Sequence, residues 1–136
     1  MVKAICRDVL FLRQKSEPAT KDDLPAAQNL LDTLAANSER CVGLAANLIG
    51  LNKRISVVNI GFANMIMINP AITKKSGSFE AEEGCLSLDG VRKARRFKDI
   101  EVEFQDMSFK KQKQKFSGWT AQIIQHECDH LEGIII

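Results

Sequence analysis

Residues 118–133, GWTAQIIQHECDHLEG, decide how this sequence folds and what it can bind. Apolar residues and histidines recur there at helical spacing, so the pattern predicts one helix with a shared face: Trp119, Ile123, His126 and His130. On that face His126 and His130 lie one turn apart and can bind one metal ion together. Glu127 lies beside them, where a carboxylate can take a proton from a water activated by the metal.

Two histidines can also be ordinary surface or core residues of a helix, but these are the only 2 in the chain. A catalytic metal site usually has three protein ligands and one open position. Glu132 and Cys128 both point away from the histidine face, so the third ligand is expected upstream. Cys85, in EAEEGCLSLDG (80–90), is the leading candidate because a thiolate suits Fe²⁺, Zn²⁺ or Co²⁺. The alternative is a small buried hydrophobic residue.

The rest of the chain supplies a second helix and a block of strands. Thr20 and Asp23 resemble a helix start, and apolar residues at helical spacing predict an amphipathic helix over residues 21–37. Apolar runs and alternating patterns predict strands at 54–60, 65–72, 100–106 and 113–119. The expected fold class is α+β, with mostly antiparallel strands around the C-terminal HExxH helix and an N-terminal amphipathic helix.

Length and composition predict a single domain over residues 1–136. A net charge of +2 is too small to favour a nucleic acid or an anionic membrane as a partner. The N-terminal apolar run, Val9 to Leu12, is shorter than a signal peptide or a membrane span requires, so we expect a cytoplasmic protein. The 4 irregularly spaced cysteines are expected to be thiols or ligands rather than disulfides.

Three stretches together resemble the motifs of the peptide deformylase family, which have the forms GxGxAAxQ, EGCxS and QHExDH. The second motif is intact as Glu83-Gly84-Cys85-Leu86-Ser87. The third is intact as Gln125-His126-Glu127-Cys128-Asp129-His130. The resemblance extends from about residue 20 to residue 136, with the motifs in the family's order.

The resemblance implies a metal-dependent hydrolase that removes the N-formyl group from N-formylmethionine at the start of nascent polypeptides and releases formate. It implies that Cys85, His126 and His130 hold the metal, natively Fe²⁺, with Zn²⁺, Ni²⁺ or Co²⁺ as substitutes. Glu127 would be the general base, and the backbone N–H of Leu86 would donate to the tetrahedral oxyanion. The implied partners are N-formyl-methionyl peptides of nascent chains and the ribosome exit region.

The first motif departs from the family pattern in CVGLAANLIG, residues 41–50. Cys41 replaces the family's first glycine. Leu48 replaces a glutamine whose amide donates to the oxyanion, and leucine cannot donate. Because losing one such donor costs roughly 10²–10³ in rate, we expect reduced activity from this catalytic position.

The resemblance also assigns the substrate site, with Arg92 and Glu83 as a supporting charge pair and five residues at the pocket: Val42, Gly43, Leu86, Trp119 and Gln122. Gln122 places an amide where an apolar residue is usual, and Trp119 is large, so both would narrow or alter the pocket. Burying an unpaired amide costs about 1–3 kcal/mol. Gln122 is therefore expected to face solvent or to bond a substrate other than methionine.

Two other functions stay open. One is a deformylase-like paralogue with little or no turnover that binds metal or peptide N-termini, which the replacements Leu48 and Cys41 favour. The other is an HExxH peptidase that cleaves internal peptide bonds. It is disfavoured because its third ligand would be an acidic residue or a histidine downstream of His130 rather than a cysteine upstream.

Overall fold

The computed structural model describes residues 1–85 and 88–134. Within them, five strands form one antiparallel sheet in chain order: β1 (Gly43–Ala45), β2 (Ile55–Asn59), β3 (Asn64–Cys85), β4 (Leu88–Gln105) and β5 (Lys111–Ser117). The helices are α1 (Val9–Leu12), α2 (Leu24–Ala36) and α3 (Gly118–Leu131), with 3₁₀ turns at Lys21–Asp23 and Ala46–Ile49. The predicted α+β architecture with its two main helices is confirmed.

The predicted helix start at Thr20 caps the 3₁₀ turn Lys21–Asp23, and α2 continues from that turn at Leu24. The Thr20 backbone N–H donates to Asp23 Oδ2 at 2.8 Å, which satisfies one of the donors left open at a helix end. Pro25 lies in the first turn, where its missing N–H costs no helical hydrogen bond. The helix buries Leu30 and Leu34 against the sheet, so its amphipathic pattern is explained by packing.

The centre of the sheet is covered on both faces. Along β2, Ile55 and Val57 join the core cluster that includes α2. Val58, together with Met67 of β3, joins the second cluster, which includes α3. Because successive strand residues point to opposite faces, a strand between two helices is apolar at nearly every position. This explains why residues 54–60 and 65–72 are rich in apolar residues on both faces.

Strands β3 and β4 form a hairpin that is much longer than the sequence predicts. β3 continues from the predicted run to Cys85, and β4 begins at Leu88 rather than near residue 100. The added residues are largely polar and exposed, so they lack the alternating apolar pattern by which a half-buried strand is recognised. The extension carries Glu83 and Cys85 to the side of α3.

The C-terminal end of α3 is held by a Schellman motif. Ile134 N–H donates to Asp129 O at 2.9 Å and Gly133 N–H donates to His130 O at 3.0 Å. Gly133 has φ +79°, and a β-carbon there would overlap the backbone of Arg13, so only glycine fits. The turn that carries His130 is therefore anchored against the N-terminal segment.

In the described ranges, no helix is long and apolar enough to cross a membrane. No disulfide joins the 4 cysteines, all of which the structure describes.

Candidate metal centre

Three residues that the sequence singles out as metal ligands come together beside α3. His126 and His130 project from one face of that helix, and Cys85 stands at the end of β3. Their donor atoms all lie within 4.8 Å of one another. The two histidine Nε2 atoms are 3.0 Å apart, and His130 is only 2% exposed. The three side chains therefore converge on one point at the edge of the core.

The residues fit a divalent metal ion. Two imidazole nitrogens and one thiolate are a donor set for Zn²⁺, Fe²⁺ or Co²⁺. Two Zn–N bonds of about 2.0–2.1 Å at a tetrahedral angle would separate their nitrogens by roughly 3.3 Å, close to the 3.0 Å seen here. Burial lowers the pKa of His130, and the neighbouring His126 lowers it further. A hydrogen bond with Cys85 and one with Glu83 raise the pKa of His126 despite its burial.

Glu83 orients the first histidine. His126 Nδ1 donates to Glu83 Oε1 at 2.8 Å, which leaves Nε2 directed at the other donors. Such carboxylate–histidine pairs fix the ring of a metal ligand. Burial alone would raise the pKa of Glu83, but hydrogen bonds from His126, Arg96 and Gln122 lower it to about 2. The carboxylate is therefore ionised and accepts hydrogen bonds from all three.

The arginine that pairs with Glu83 in the structure is Arg96, whereas the sequence interpretation gave that role to Arg92. Arg96 Nη2 lies 2.6 Å from Glu83 Oε1, and Arg96 Nη1 lies 2.7 Å from Asp129 Oδ2. Strand alternation puts Arg92, Ala94 and Arg96 on one face, so the sequence offered both arginines. Arg96 is distinguished by its burial and by its contact with Asp129 on α3, and no sequence pattern signals either feature.

Glu127 is the one carboxylate of α3 that is buried beside the histidines. It is 4% exposed, its Oε1 has no hydrogen-bond partner among the described residues, and burial raises its pKa to about 7. Its other oxygen lies close to β1: a β-carbon built on Gly43 would be 2.8 Å from Glu127 Oε2. A carboxylate with a pKa near neutrality and an open acceptor position is suited to proton transfer.

A cavity of about 670 Å³ opens over these side chains. Its lining includes Val42, Gly43, Trp119 and Gln122, four of the residues that the sequence interpretation assigned to the substrate pocket, together with Cys85, His126 and Glu127. Arg92 is not part of this lining. Leu86, the predicted oxyanion donor and a pocket residue, lies outside the described residues.

Gln122 does not leave its amide unpaired. Its Nε2 donates to Glu83 Oε2 at 2.9 Å, so the cost expected for a buried amide does not arise. The large ring of Trp119 is 61% exposed and lies at the rim of the cavity.

Position 48 has become part of the core. Leu48 is 2% exposed and belongs to the cluster formed with α2, against which Cys85 also packs. The preceding residue, Asn47, is 1% exposed and was not singled out by the sequence analysis. Its Nδ2 donates to the backbone oxygen of His130 at 2.7 Å. Cys41 lines the cavity, and burial raises the pKa of its thiol to about 11.

The chain is similar throughout to known deformylases. A family model described as polypeptide deformylase matches residues 4–136, so the likeness begins earlier than residue 20. A peptide deformylase of Clostridium beijerinckii is 58% identical over 100% of both chains. One of Pelotomaculum thermopropionicum is 44% identical over 78% of this chain and 70% of its own.

Solved structures agree with the sequence relatives. The crystal structure of peptide deformylase from Thermotoga maritima superposes with a TM-score of 0.90 at 28% identity, covering 99% of this chain and 95% of that one. That of a peptide deformylase from Legionella pneumophila gives 0.89 at 31% identity, covering 99% and 83%. The chain therefore belongs to the peptide deformylase family, the metal-dependent hydrolases that remove the N-formyl group from nascent polypeptides.

Proposed function

We propose that this chain is an active deformylase in which Cys85, His126 and His130 hold the metal and Glu127 is the general base. The observation that carries the proposal is the meeting of three donor atoms within 4.8 Å beside a buried carboxylate oxygen that has no partner among the described residues. The substrate is the N-formyl-methionyl end of a nascent chain, and the products are formate and a free amino terminus.

The metal and the protein side chains would have different roles in the reaction. A divalent metal held by this donor set supplies a Lewis acid that makes a water nucleophilic near neutral pH. Glu127 takes the proton from that water as the oxygen bonds to the formyl carbon, and passes it to the amine nitrogen as the C–N bond breaks. Glu83 holds His126 in the tautomer that directs Nε2 at the metal. We infer Fe²⁺ as the native ion from the family resemblance, with Zn²⁺, Ni²⁺ or Co²⁺ able to replace it.

The oxyanion is stabilised by fewer donors than the family pattern provides. Leu48 cannot donate, and it belongs to the apolar cluster against which Cys85 packs. The backbone N–H of Leu86 is the donor that we assign to this role, and a metal held by Cys85, His126 and His130 would add positive charge. We therefore expect turnover slower by up to roughly 10²–10³ than in a site with the glutamine.

The place of action follows from the substrate. N-formyl-methionyl ends exist on nascent chains, so we propose that the protein acts in the cytoplasm near the ribosome exit region. Co-sedimentation with translating ribosomes tests this.

We also propose that residues 1–136 form a single domain, because the family match spans 4–136 and α2 and α3 cover opposite faces of the same sheet.

The test of activity is formate release from a formyl-Met tripeptide by anaerobically prepared, Fe²⁺-loaded protein, with Glu127→Ala as the blank. Turnover that disappears in the blank supports the proposal and the role of Glu127. Absence of turnover above the blank, with metal bound, would contradict it. That outcome would favour the second candidate, a paralogue that binds metal or peptide ends without turnover, which the packing of Leu48 in the core favours.

A further inference from the structure

We propose that Gln122 is a positioning residue that links the wall of the substrate cavity to the metal ligand His126 through Glu83. The inference rests on the proposed function of the metal centre. Two hydrogen bonds form the link: Gln122 Nε2 donates to Glu83 Oε2 at 2.9 Å, and His126 Nδ1 donates to Glu83 Oε1 at 2.8 Å.

The hydrogen bonds of Glu83 divide between its two oxygens. Oε1 accepts from His126 Nδ1 at 2.8 Å, from Arg96 Nη2 at 2.6 Å and from Arg96 Nε at 3.1 Å. Oε2 accepts from Gln122 Nε2 and Arg96 Nε, both at 2.9 Å. Arg96 therefore contacts both oxygens, and Gln122 supplies the second donor to Oε2 from the side of the cavity. Without it, Glu83 is free to turn toward Arg96, and the orientation of the His126 ring changes with it.

The burial of Glu83 makes this donor hard to replace. Glu83 is 8% exposed and Arg96 is 3% exposed, so a carboxylate that loses a donor there is poorly compensated by water. Networks of buried polar groups behave as units, because each hydrogen bond polarises the next. An apolar residue at position 122 would line the cavity equally well but would leave Glu83 Oε2 with one donor.

The experiment measures metal binding directly. Metal-free protein is titrated with Co²⁺, whose thiolate and d–d absorption bands report on its ligands. Removing an outer hydrogen bond to a metal ligand typically weakens binding 10–100-fold, so we expect Glu83→Gln to fall in that range and Gln122→Leu, one bond further out, to weaken Co²⁺ binding about tenfold. Gln122→Met keeps the length of the side chain without the amide and should weaken Co²⁺ binding as much as Gln122→Leu does. Either variant can therefore replace the other if one folds poorly.

Two controls distinguish this positioning role of Gln122 from a role that is limited to lining the cavity. Trp119→Leu changes the same cavity and should alter KM for a formyl-Met peptide while leaving the Co²⁺ affinity within about twofold. Gln114→Leu makes the same exchange on exposed β5 and should change neither. In a Glu83→Gln background, Gln122→Leu should weaken Co²⁺ binding little further, because both changes act on one network.

Wild-type Co²⁺ affinity in Gln122→Leu, with only KM altered, would overturn the proposal. So would a Gln122→Leu effect that adds in full to that of Glu83→Gln, because Gln122 would then act without Glu83. The Co²⁺ titration needs no turnover. A protein that binds metal but releases no formate would contradict the proposed function and still decide this inference.

Discussion

The third motif, on α3, and the first motif, around β1, come from the same family pattern but have diverged differently. On α3, His126, Glu127 and His130 retain their residue types, and Glu83 and Arg96 provide buried hydrogen-bond partners for this helix. In the first motif Leu48 lies in the apolar core. A residue in a buried polar network cannot be replaced alone without leaving its hydrogen-bond partner unpaired. A donor at the edge of such a network can be replaced by an apolar residue that packs in the core.

The largest effect is expected from Arg96→Leu, which breaks the ion pairs beside the third motif on α3. This change leaves Glu83 and Asp129 without the guanidinium that lies between them, and breaking a buried ion pair typically costs about 3–5 kcal/mol. We expect a loss of that order in the free energy of unfolding, measured by urea denaturation.

Arg92→Leu is the matched control on the same strand, since its side chain is exposed. We expect it to change the free energy of unfolding by less than about 1 kcal/mol. Equal losses in both variants would show that the two arginines share the role assigned here to Arg96.

Gly43→Ala tests the contact between the two regions. The added β-carbon would lie 2.8 Å from both Glu127 Oε2 and Ile123 Cγ2, so the base must move. Because displacement by about 1 Å can cost roughly 10²-fold, we expect kcat to fall by up to that amount while Co²⁺ binding is largely kept. At Gly84 the nearest atom would be 3.5 Å away, so Gly84→Ala should reduce kcat much less. Similar losses in both variants would argue against the steric explanation.

Leu48→Gln sharpens the comparison by restoring the family's donor. We expect kcat/KM to rise at least about tenfold, because one oxyanion donor is worth roughly 10²–10³ in rate. The same change puts an amide into the apolar cluster, so we expect a lower Tm as well. Leu48→Met, which conserves size without a donor, should leave both nearly unchanged. No gain in kcat/KM would mean that another group already stabilises the oxyanion.

Asn47→Ala should have the smallest effect. It removes the hydrogen bond from Asn47 Nδ2 to the His130 backbone oxygen, which still accepts from Gly133 N–H at 3.0 Å. It also removes Asn47 Oδ1, which is buried without a partner among the described residues. The two effects partly cancel, so we expect the free energy of unfolding to fall by less than about 1 kcal/mol. Asn47→Asp, which cannot donate to that carbonyl, should destabilise more, and the reverse order would contradict this account.

Much of the candidate site could be predicted from local pattern. The histidine spacing depends only on the helical repeat, so it places His126 and His130 together before any tertiary contact is known. The extent of the β3–β4 hairpin could not be predicted in this way. Among its added residues, the buried Glu83 and Arg96 are charged and most of the others are exposed, so hydrophobic alternation gives little signal there.

The sequence by itself determined the helices, the inner strands, and the family motifs with their metal-ligating residue types, because these depend on short-range periodicity and side-chain chemistry. Only the tertiary structure decided that Arg96 pairs with Glu83, that Gln122 binds the same carboxylate, and that Asn47 reaches the His130 carbonyl. These contacts join residues from 13 to 83 positions apart in the chain. They exist because the hairpin, the 3₁₀ turn and α3 pack together, and packing over such separations leaves no local pattern in a sequence.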